Sequence, residues 1–274
     1  MTPIHDLRGL GLPESISVAL FDLDGVLTDT VAVHRRAWKL VFDELLAGRV
    51  HGAFRPFSDA DYLGYVDGRS RADGIREFLK SRGITVPEGE PDASEGEPSV
   101  AGLGNRKNRL LLSFLERDGV HTYPGSVQYL SEVRAAGVKT GVVTASANAA
   151  AVLSAADLGR FVDVCIDGLE IARRGLRGIP APDAFLAAVQ ALAAKPEQGA
   201  VFEDSSAGVT SGRAGGFGYV VGVDRDRDTA HADALRRAGA DVVVSDLAEL
   251  GKVAMSTDRA ESQLTDGRAP HPRR

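Results

Sequence analysis

The pattern of hydrophobic positions divides the chain into two kinds of segment. Short apolar runs, rich in β-branched residues, alternate with longer stretches that carry apolar residues at helical spacing. The first predicted strand is 18–22, and the later ones are 138–144, 161–166, 200–202, 219–223 and 241–244. The predicted helices between them are 125–136, 147–156, 182–193 and 205–214. This alternation predicts an α/β fold, a Rossmann-like core with a mostly parallel sheet to which the first strand also belongs.

A block of helical pattern interrupts the alternation after the first strand. Apolar residues recur at helical spacing over 30–46, 75–79 and 107–115. Between the last two, 85–105 is rich in Gly, Pro, Glu and Ser and predicts a long, mobile loop. The polar stretch 255–274 contains prolines near its end and predicts a disordered tail.

The interruption predicts two domains. We expect an inserted α-helical cap domain at 31–117 and an α/β core domain formed by 1–30 and 118–254. The cap would lie over the strand ends and open and close about hinges near 29–31 and 118–123.

Composition narrows the functional classes. Among 274 residues the net charge is −6 and 26% are charged, without a sustained basic stripe, so we expect no nucleic-acid partner. No window approaches 18 consecutive apolar residues and the N-terminus lacks a signal pattern, so we expect no membrane association and a cytoplasmic location. The lone Cys165 lies in an apolar stretch and is interpreted as part of the core rather than as a nucleophile.

The end of the first strand carries the strongest chemical signal. Asp22 and Asp24 are two residues apart, so their side chains can converge beyond the carboxyl end of the strand, and Gly25 follows at once. Ligands of open α/β sheets bind at that edge. Charged groups there are costly unless they are paired or bind metal. The pattern predicts a divalent cation with phosphoryl chemistry around it.

Three further spots follow predicted strands or precede predicted helices. Thr144 and Ser146 end one strand, Glu203 and Asp204 end another, and a segment with two prolines leads to Asp183. Each alone is as well explained by a helix cap or a solvated turn. In this order, Asp-x-Asp, Thr-x-Ser, Pro-x-Pro-Asp and Glu-Asp resemble the haloacid dehalogenase superfamily of phosphotransferases, and the resemblance covers nearly the whole chain.

That resemblance implies specific roles. Asp22 would be the nucleophile that forms an aspartyl phosphate, and Asp24 the general acid and base. Thr144 would hold a phosphate oxygen. Asp22, the Asp24 backbone carbonyl, Glu203 and Asp204 would bind Mg²⁺, which prefers oxygen ligands together with a substrate phosphate.

The inserted block resembles the cap of the β-phosphoglucomutase family. The resemblance lies in the segment from Thr28 to Lys39, in Gly68-Arg69-Ser70-Arg71, in Arg106-Lys107-Asn108 and in Ser146-Ala147-Asn148. It implies a substrate site made of His34, Trp38, Gly68, Arg71, Lys107, Asn108, Ser146, Ala147 and Asn148. Arg71, with Ser146 and Asn148, would grip the phosphate that is not being transferred. Without the resemblance, Trp38 is equally well a core residue, and His34, Arg71 and Lys107 would be read as surface residues.

One position departs from the family pattern. Families with this core normally carry lysine immediately before Pro-x-Pro-Asp, and this chain has Ile179. Losing one such preorganised charge costs on the order of 10²–10³ in rate. Arg177 could take the place of the lysine, with Arg174 a poorer candidate. Alternatively the enzyme is slow or altered in substrate, or the chain has become a binding protein.

Three functions follow from these residues. The first is interconversion of β-D-glucose 1-phosphate and glucose 6-phosphate through an aspartyl phosphate and a 1,6-bisphosphate. The second is a sugar-phosphate phosphatase, in which water replaces the sugar hydroxyl as acceptor. The third is a phosphosugar-binding protein without activity. We expect a small phosphosugar substrate and a monomer.

Overall fold

The apolar runs form one parallel sheet in the computed structural model, which describes residues 7–49 and 55–251. The strands are β1 Val18–Phe21, β2 Lys139–Val143, β3 Val164–Ile166, β4 Gly199–Glu203, β5 Tyr219–Val223 and β6 Val242–Val244. Their order across the six-stranded sheet is β3-β2-β1-β4-β5-β6, and every neighbouring pair is parallel. The predicted α/β fold with a parallel sheet is confirmed.

The two central strands, β1 and β4, are buried at every position. Side chains alternate between the two faces, so Ala19 and Phe21 join one hydrophobic cluster while Val18 and Leu20 join another on the opposite face. Phe21 stacks on Phe202 of β4 with ring centroids 4.4 Å apart. Burial on both faces explains why these strands read as continuous apolar runs.

Helices cover both faces of the sheet and follow the strands along the chain. They are α5 Pro124–Ala135, α6 Ala149–Ala155, α7 Gly168–Arg173, α8 Asp183–Ala191, α9 Ser206–Ala214 and α10 Thr229–Ala238, with short 3₁₀ turns at Leu7–Leu10, Gly159–Phe161, Pro196–Gln198 and Leu247–Glu249. Several begin at a polar cap: Ser205, for example, accepts from the Gly208 amide at 3.0 Å. Because the strands are parallel, their carboxyl ends meet at one edge.

Four helices of the described residues lie between β1 and α5. They are α1 Val31–Arg49, α2 Asp59–Asp61, α3 Arg71–Ser81 and α4 Val100–Asp118, and α2 continues into a π-helical turn at Tyr62–Val66. They pack around a hydrophobic cluster of their own, in which Phe42 contacts the rings of Trp38, Phe57 and Phe78. A separate core is the physical basis for the cap domain proposed at 31–117, and the domain limits stay a prediction.

The two connections between this helical block and the sheet run side by side. The Asp29 amide donates to the His121 carbonyl at 2.9 Å, and the Tyr123 amide donates to the Leu27 carbonyl at 3.1 Å. These bonds lie in the segments predicted as hinges, so a movement of one connection involves the other.

The structure corrects parts of the sequence assignment. The predicted loop at 85–105 is wrong from Val100 onward, because α4 begins there behind the Ser99 cap. The segment 85–99 is a loop, and an ion pair joins it to α3, with Arg76 Nη2 2.7 Å from Glu88 Oε2. Helices α7 and α10 had no counterpart in the sequence assignment. The predicted tail at 255–274 lies outside the described residues.

Two further expectations concern membrane-spanning helices and the single cysteine. No helix within 7–49 and 55–251 is long and apolar enough to cross a membrane. Cys165 on β3 packs partly buried against the core, and burial raises the pKa of its thiol to about 11. A thiol with a raised pKa is a poor nucleophile, in keeping with a core residue.

Candidate active site

Two neighbouring strands end in acidic residues at the same edge of the sheet. Asp22 follows β1 directly, and β4 ends at Glu203 with Asp204 next to it. Phe21 pairs with Phe202, and the Asp22 amide donates to the Phe202 carbonyl, so the two acidic segments lie side by side. Carboxylate oxygens of Asp22, Glu203 and Asp204 lie within 4.8 Å of one another. The structure thus brings together three of the four residues predicted to bind metal.

This acidic cluster carries more negative charge than its surroundings neutralise. Burial raises the pKa of Asp22, Glu203 and Asp204 well above the usual carboxyl range, and repulsion from neighbouring carboxylates raises each further. Ser205 offsets only part of this, donating through its amide and hydroxyl to Glu203 at 3.3 and 3.1 Å. Converging hard oxygen ligands with excess negative charge fit a divalent metal ion.

The Asp24 carboxylate is not part of this cluster and contacts the chain leading into the cap. It accepts a short hydrogen bond from the Thr30 hydroxyl, and its Oδ1 lies 3.5 Å from His34 Nε2. The other ring nitrogen, His34 Nδ1, lies 3.1 Å from Lys107 Nζ on α4. The prediction that Asp24 reaches the metal concerned its backbone carbonyl and stays a prediction.

Burial sets the charges along this contact. It lowers the pKa of His34 to about 4, with a further contribution from the charge of Lys107. It lowers the pKa of Lys107 to about 7, with a further contribution from Arg71. At neutral pH His34 is therefore uncharged. Where Lys107 is protonated, Nδ1 accepts from its ammonium, and the ring proton lies on Nε2, 3.5 Å from Asp24 Oδ1.

The chain after β2 places hydroxyl and amide groups beside the acidic cluster. Thr144 is 2% exposed, and its hydroxyl accepts from the Ser146 amide at 3.2 Å. The Ser146 hydroxyl accepts from the Asn148 amide at 3.3 Å. Helix α6 begins at Ala149, two residues later than predicted, so Ser146, Ala147 and Asn148 form the loop before it.

Asn108 joins the helical block to the sheet edge. Its side-chain oxygen accepts from Arg71 Nη2 and from Asn148 Nδ2, each at 2.8 Å. Arg71 and Asn108 belong to the block and Asn148 to the core, so this oxygen bridges the cleft between them. Burial lowers the pKa of the Arg71 guanidinium, which stays charged at neutral pH.

Gly68 is a point of close approach between the two parts. Its φ is +70°, and a Cβ there would collide with the Ser205 hydroxyl and crowd Ala207. Glycine is therefore required at this position for both its backbone conformation and its small size. Its predicted place in the substrate site is explained by this close approach, since it offers no side chain.

A cavity of about 630 Å³ lies between the sheet edge and the helical block, a size typical of small-molecule sites. The predicted residues that line it are Asp22, Asp24, His34, Trp38, Gly68, Arg71, Lys107, Thr144, Ser146, Ala147, Asn148, Glu203 and Asp204. Asn108 does not line it and touches it only through Arg71 and Asn148. Trp38 is both core and site, because it stacks on Phe42 while Lys107 Nζ lies 5.0 Å from its ring centroid.

The proposed substitute for the missing lysine is not at the site. Ile179 is buried and lines the cavity. Arg177 is 75% exposed, does not line the cavity, and places Nη2 2.7 Å from Asp183 Oδ1. Arg174 instead lies 3.6 Å from Glu170. In this structure the carboxylate of Asp183 holds Arg177 at the surface, so Arg177 does not occupy the place of the lysine, and its role as a substitute stays a prediction.

Three residues of the site were missed from the sequence. Asp67, before Gly68, lines the cavity, and its negative charge raises the pKa of all three clustered carboxylates. Arg69 also lines it, and its guanidinium has no hydrogen bond or ion pair within the described part of the chain. His231 contacts Asp224 Oδ1 at 3.1 Å and the Asp204 carbonyl at 2.9 Å. Asp67 and Arg69 flank a motif glycine; His231 gives no local signal.

Comparison with known proteins decides the family. A model of the haloacid dehalogenase-like hydrolases matches residues 16–216, which include every acidic residue of the cluster. The chain belongs to the haloacid dehalogenase-like hydrolases. The resemblance inferred from the four motifs is confirmed, and the family together with the acidic cluster implies a divalent metal ion.

Relatives within the family differ in their activity. The chain is 50% identical over 247 residues to the β-phosphoglucomutase of Mycobacterium bovis, which covers 89% of this chain and 94% of the relative. It is 29% identical to hexitol phosphatase A of Escherichia coli, covering 77% and 84%. The crystal structure of a β-phosphoglucomutase from Clostridium difficile superimposes with a TM-score of 0.69 at 22% identity, covering 91% and 99%, and shares the fold.

Proposed function

We propose that this haloacid dehalogenase-like protein is a Mg²⁺-dependent β-phosphoglucomutase that interconverts β-D-glucose 1-phosphate and glucose 6-phosphate. One observation carries the proposal: a single cavity has the acidic cluster with Asp22 on one wall and Arg69, Arg71 and Lys107 on the facing wall. A bisphosphorylated sugar needs a reacting centre and a cationic grip in one enclosure. The 50% identity to the mycobacterial mutase supports it.

The reaction begins with Asp22. One of its carboxylate oxygens attacks the phosphorus at position 1 of glucose 1,6-bisphosphate, forming an aspartyl phosphate while the bond between that phosphorus and the sugar oxygen breaks. Asp24 gives the sugar oxygen a proton and glucose 6-phosphate leaves; the 6-hydroxyl of β-glucose 1-phosphate then attacks the aspartyl phosphate, passes its proton to Asp24 and forms the bisphosphate again. When bound by Asp22, the Asp24 carbonyl, Glu203 and Asp204, Mg²⁺ would offset the negative charge that keeps carboxylate and phosphate apart.

The residues around the cavity would have two kinds of role: some bind phosphate, and His34 lies against the proton-transferring Asp24. Arg71 would grip the distal phosphate with Ser146 and Asn148, and Arg69 would add a second guanidinium, since the described residues leave it without a partner. Uncharged His34 would face Asp24 Oδ1 with Nε2 at 3.5 Å, close enough to make a hydrogen bond after a small movement. Thr144 would hold an oxygen of the phosphate under attack.

The second candidate is a sugar-phosphate phosphatase, favoured by Ile179 in place of lysine and by the hexitol phosphatase relative. Mutase and phosphatase differ in whether water reaches the aspartyl phosphate. The bridge from Arg71 through Asn108 to Asn148 closes the cleft and favours the mutase. We also propose a cytoplasmic monomer.

A ³¹P NMR time course tests the proposal. The purified protein with Mg²⁺ receives β-glucose 1-phosphate and a trace of glucose 1,6-bisphosphate. We expect glucose 6-phosphate to grow without inorganic phosphate, and Asp22→Asn to abolish the change. Growth of inorganic phosphate at the same rate would establish the phosphatase instead. Unchanged spectra with binding of both Mg²⁺ and phosphosugar would leave a binding protein.

A further inference from the structure

Arg225 makes a saturated set of hydrogen bonds behind the acidic cluster. It lies two residues after β5, with 13% of its side chain exposed, and it does not line the cavity. Nε donates to the Gly25 carbonyl at 3.0 Å and Nη2 to the Val26 carbonyl at 2.7 Å. The other donors reach Ser126 Oγ at 2.6 Å, Ser245 O at 3.0 Å and Asp246 Oδ2 at 2.9 Å. All five N–H groups of the guanidinium are therefore used.

The two carbonyls held by Arg225 belong to the loop that directly follows Asp24. Gly25 in this loop has a φ of +91°, and a Cβ there would collide with the Asp204 carboxylate. The loop thus packs directly against the second acidic segment. A shift of Gly25 and Val26 would change the spacing between Asp24 and Asp204, which is the spacing that the proposed chemistry uses.

Arg225 also contacts the connections between sheet and cap. Its Cζ lies 3.7 Å from the centroid of the Tyr123 ring. The Tyr123 hydroxyl donates to Asp29 Oδ1 at 3.0 Å, and its amide donates to the Leu27 carbonyl. One guanidinium therefore fastens the loop after Asp24 and, through Tyr123, both connections to the helical block.

We propose that Arg225 is a positioning residue that holds the loop at Gly25 and Val26, and with it Asp24, in register with the acidic segment at Asp204. Its catalytic consequence rests on the proposed function. A displacement of about 1 Å at a reacting group costs on the order of 10²-fold in rate. Lysine cannot substitute, because an ammonium has three donors on one atom and cannot reach five acceptors arranged around a planar fork.

The test compares Arg225→Ala and Arg225→Lys with Arg134→Ala. Arg134 is a matched control, because it also binds a hydroxyl, a carbonyl and a carboxylate, on Thr140, Phe161 and Asp163, at the opposite edge of the sheet. For both Arg225 variants we expect kcat to fall about 10²-fold with KM changed little, at a temperature where circular dichroism shows full folding. Millimolar guanidinium should partly restore Arg225→Ala. Arg134→Ala should keep its kcat.

Hydrogen exchange separates this proposal from the proposed function. The exchange rate of the amides of residues 27–29 should rise in Arg225→Ala and stay at the native value in Arg134→Ala. This expectation holds whether or not the native protein acts on glucose phosphates. Unchanged exchange of these amides would overturn the proposal. So would faster exchange combined with a native kcat, or a loss of kcat in proportion to unfolded protein that guanidinium does not rescue. If the native protein has no mutase activity, the proposed function is wrong, and the exchange rates alone then test whether Arg225 holds the loop.

Discussion

Replacing Lys107 with methionine is expected to stabilise the fold while it impairs catalysis. Lys107 is 4% exposed, and burial, followed by repulsion from Arg71, lowers its pKa from 10.5 to about 7. The difference is about 3.5 pH units, and at about 1.36 kcal/mol per unit it corresponds to about 5 kcal/mol. That is an upper bound on what the protein loses by keeping this ammonium charged in the cavity wall. Methionine fills a similar volume without the charge.

The sign of the pH dependence follows from the two states. Between pH 7 and 10.5 the unfolded chain holds a proton on Lys107 that the folded chain has released, so the stability of the native protein rises with pH in this window. Below about pH 7 both states hold the proton and the penalty is constant. The advantage of Lys107→Met should therefore be largest at pH 7 and below and vanish near pH 10.5.

Urea unfolding at pH 6.5 and pH 9 measures this directly. We expect Lys107→Met to be more stable by about 2–5 kcal/mol at pH 6.5, and the gap to shrink by about 1.4 kcal/mol per pH unit above pH 7. Lys80→Met, an exposed lysine at the end of α3, serves as the control and should show no such gap. A gap for Lys107→Met that does not change with pH, or a less stable variant, would refute the reasoning. Mutase turnover should fall in the same variant.

Two further pairs of substitutions test the close approach at Gly68 and the role of the position that has Ile179. Gly68→Ala should lower kcat/KM at least about 10-fold by pushing the cap away from Ser205. Gly83→Ala is the control: its φ is a similar +65°, but a Cβ there would have no atom within 4 Å, so this variant should lose stability and keep its kinetics. An equal loss of kcat/KM in both variants would contradict the close-approach argument. Ile179→Lys should raise turnover, because it returns a positive charge to the reacting centre. Arg177→Ala should change turnover little, because Asp183 holds Arg177 at the surface. If steady-state rates show no gain from Ile179→Lys and a large loss from Arg177→Ala, Arg177 reaches the site when substrate binds.

The parts of the fold that the sequence predicted are those set by local pattern. The runs that became β1, β4 and β5 are buried on both faces, so they are apolar without interruption and stand out in the chain. Asp22 and Glu203 were found for the same reason, because a carboxylate at the end of such a run is unexpected there.

The parts that escaped depend on tertiary contacts. The start of α4 contains Gly102 and Gly104, and glycine disfavours a helix. Gly104 lies close to the side chains of Arg71 and Ile75. His231 reaches Asp204 only because β4 and β5 are neighbours and α10 lies above them. Such juxtapositions leave no trace in local periodicity.

The central claim is that Asp22 carries the transferred phosphoryl group. Intact-protein mass spectrometry after rapid mixing with glucose 1,6-bisphosphate and Mg²⁺, followed by acid quenching and peptide mapping, tests it most directly. We predict a mass gain of one phosphoryl group on the peptide with Asp22, lost on addition of glucose 6-phosphate as the bisphosphate forms again, and absent in Asp22→Asn. A phosphoryl group on any other residue, or normal turnover by Asp22→Asn, would contradict the account.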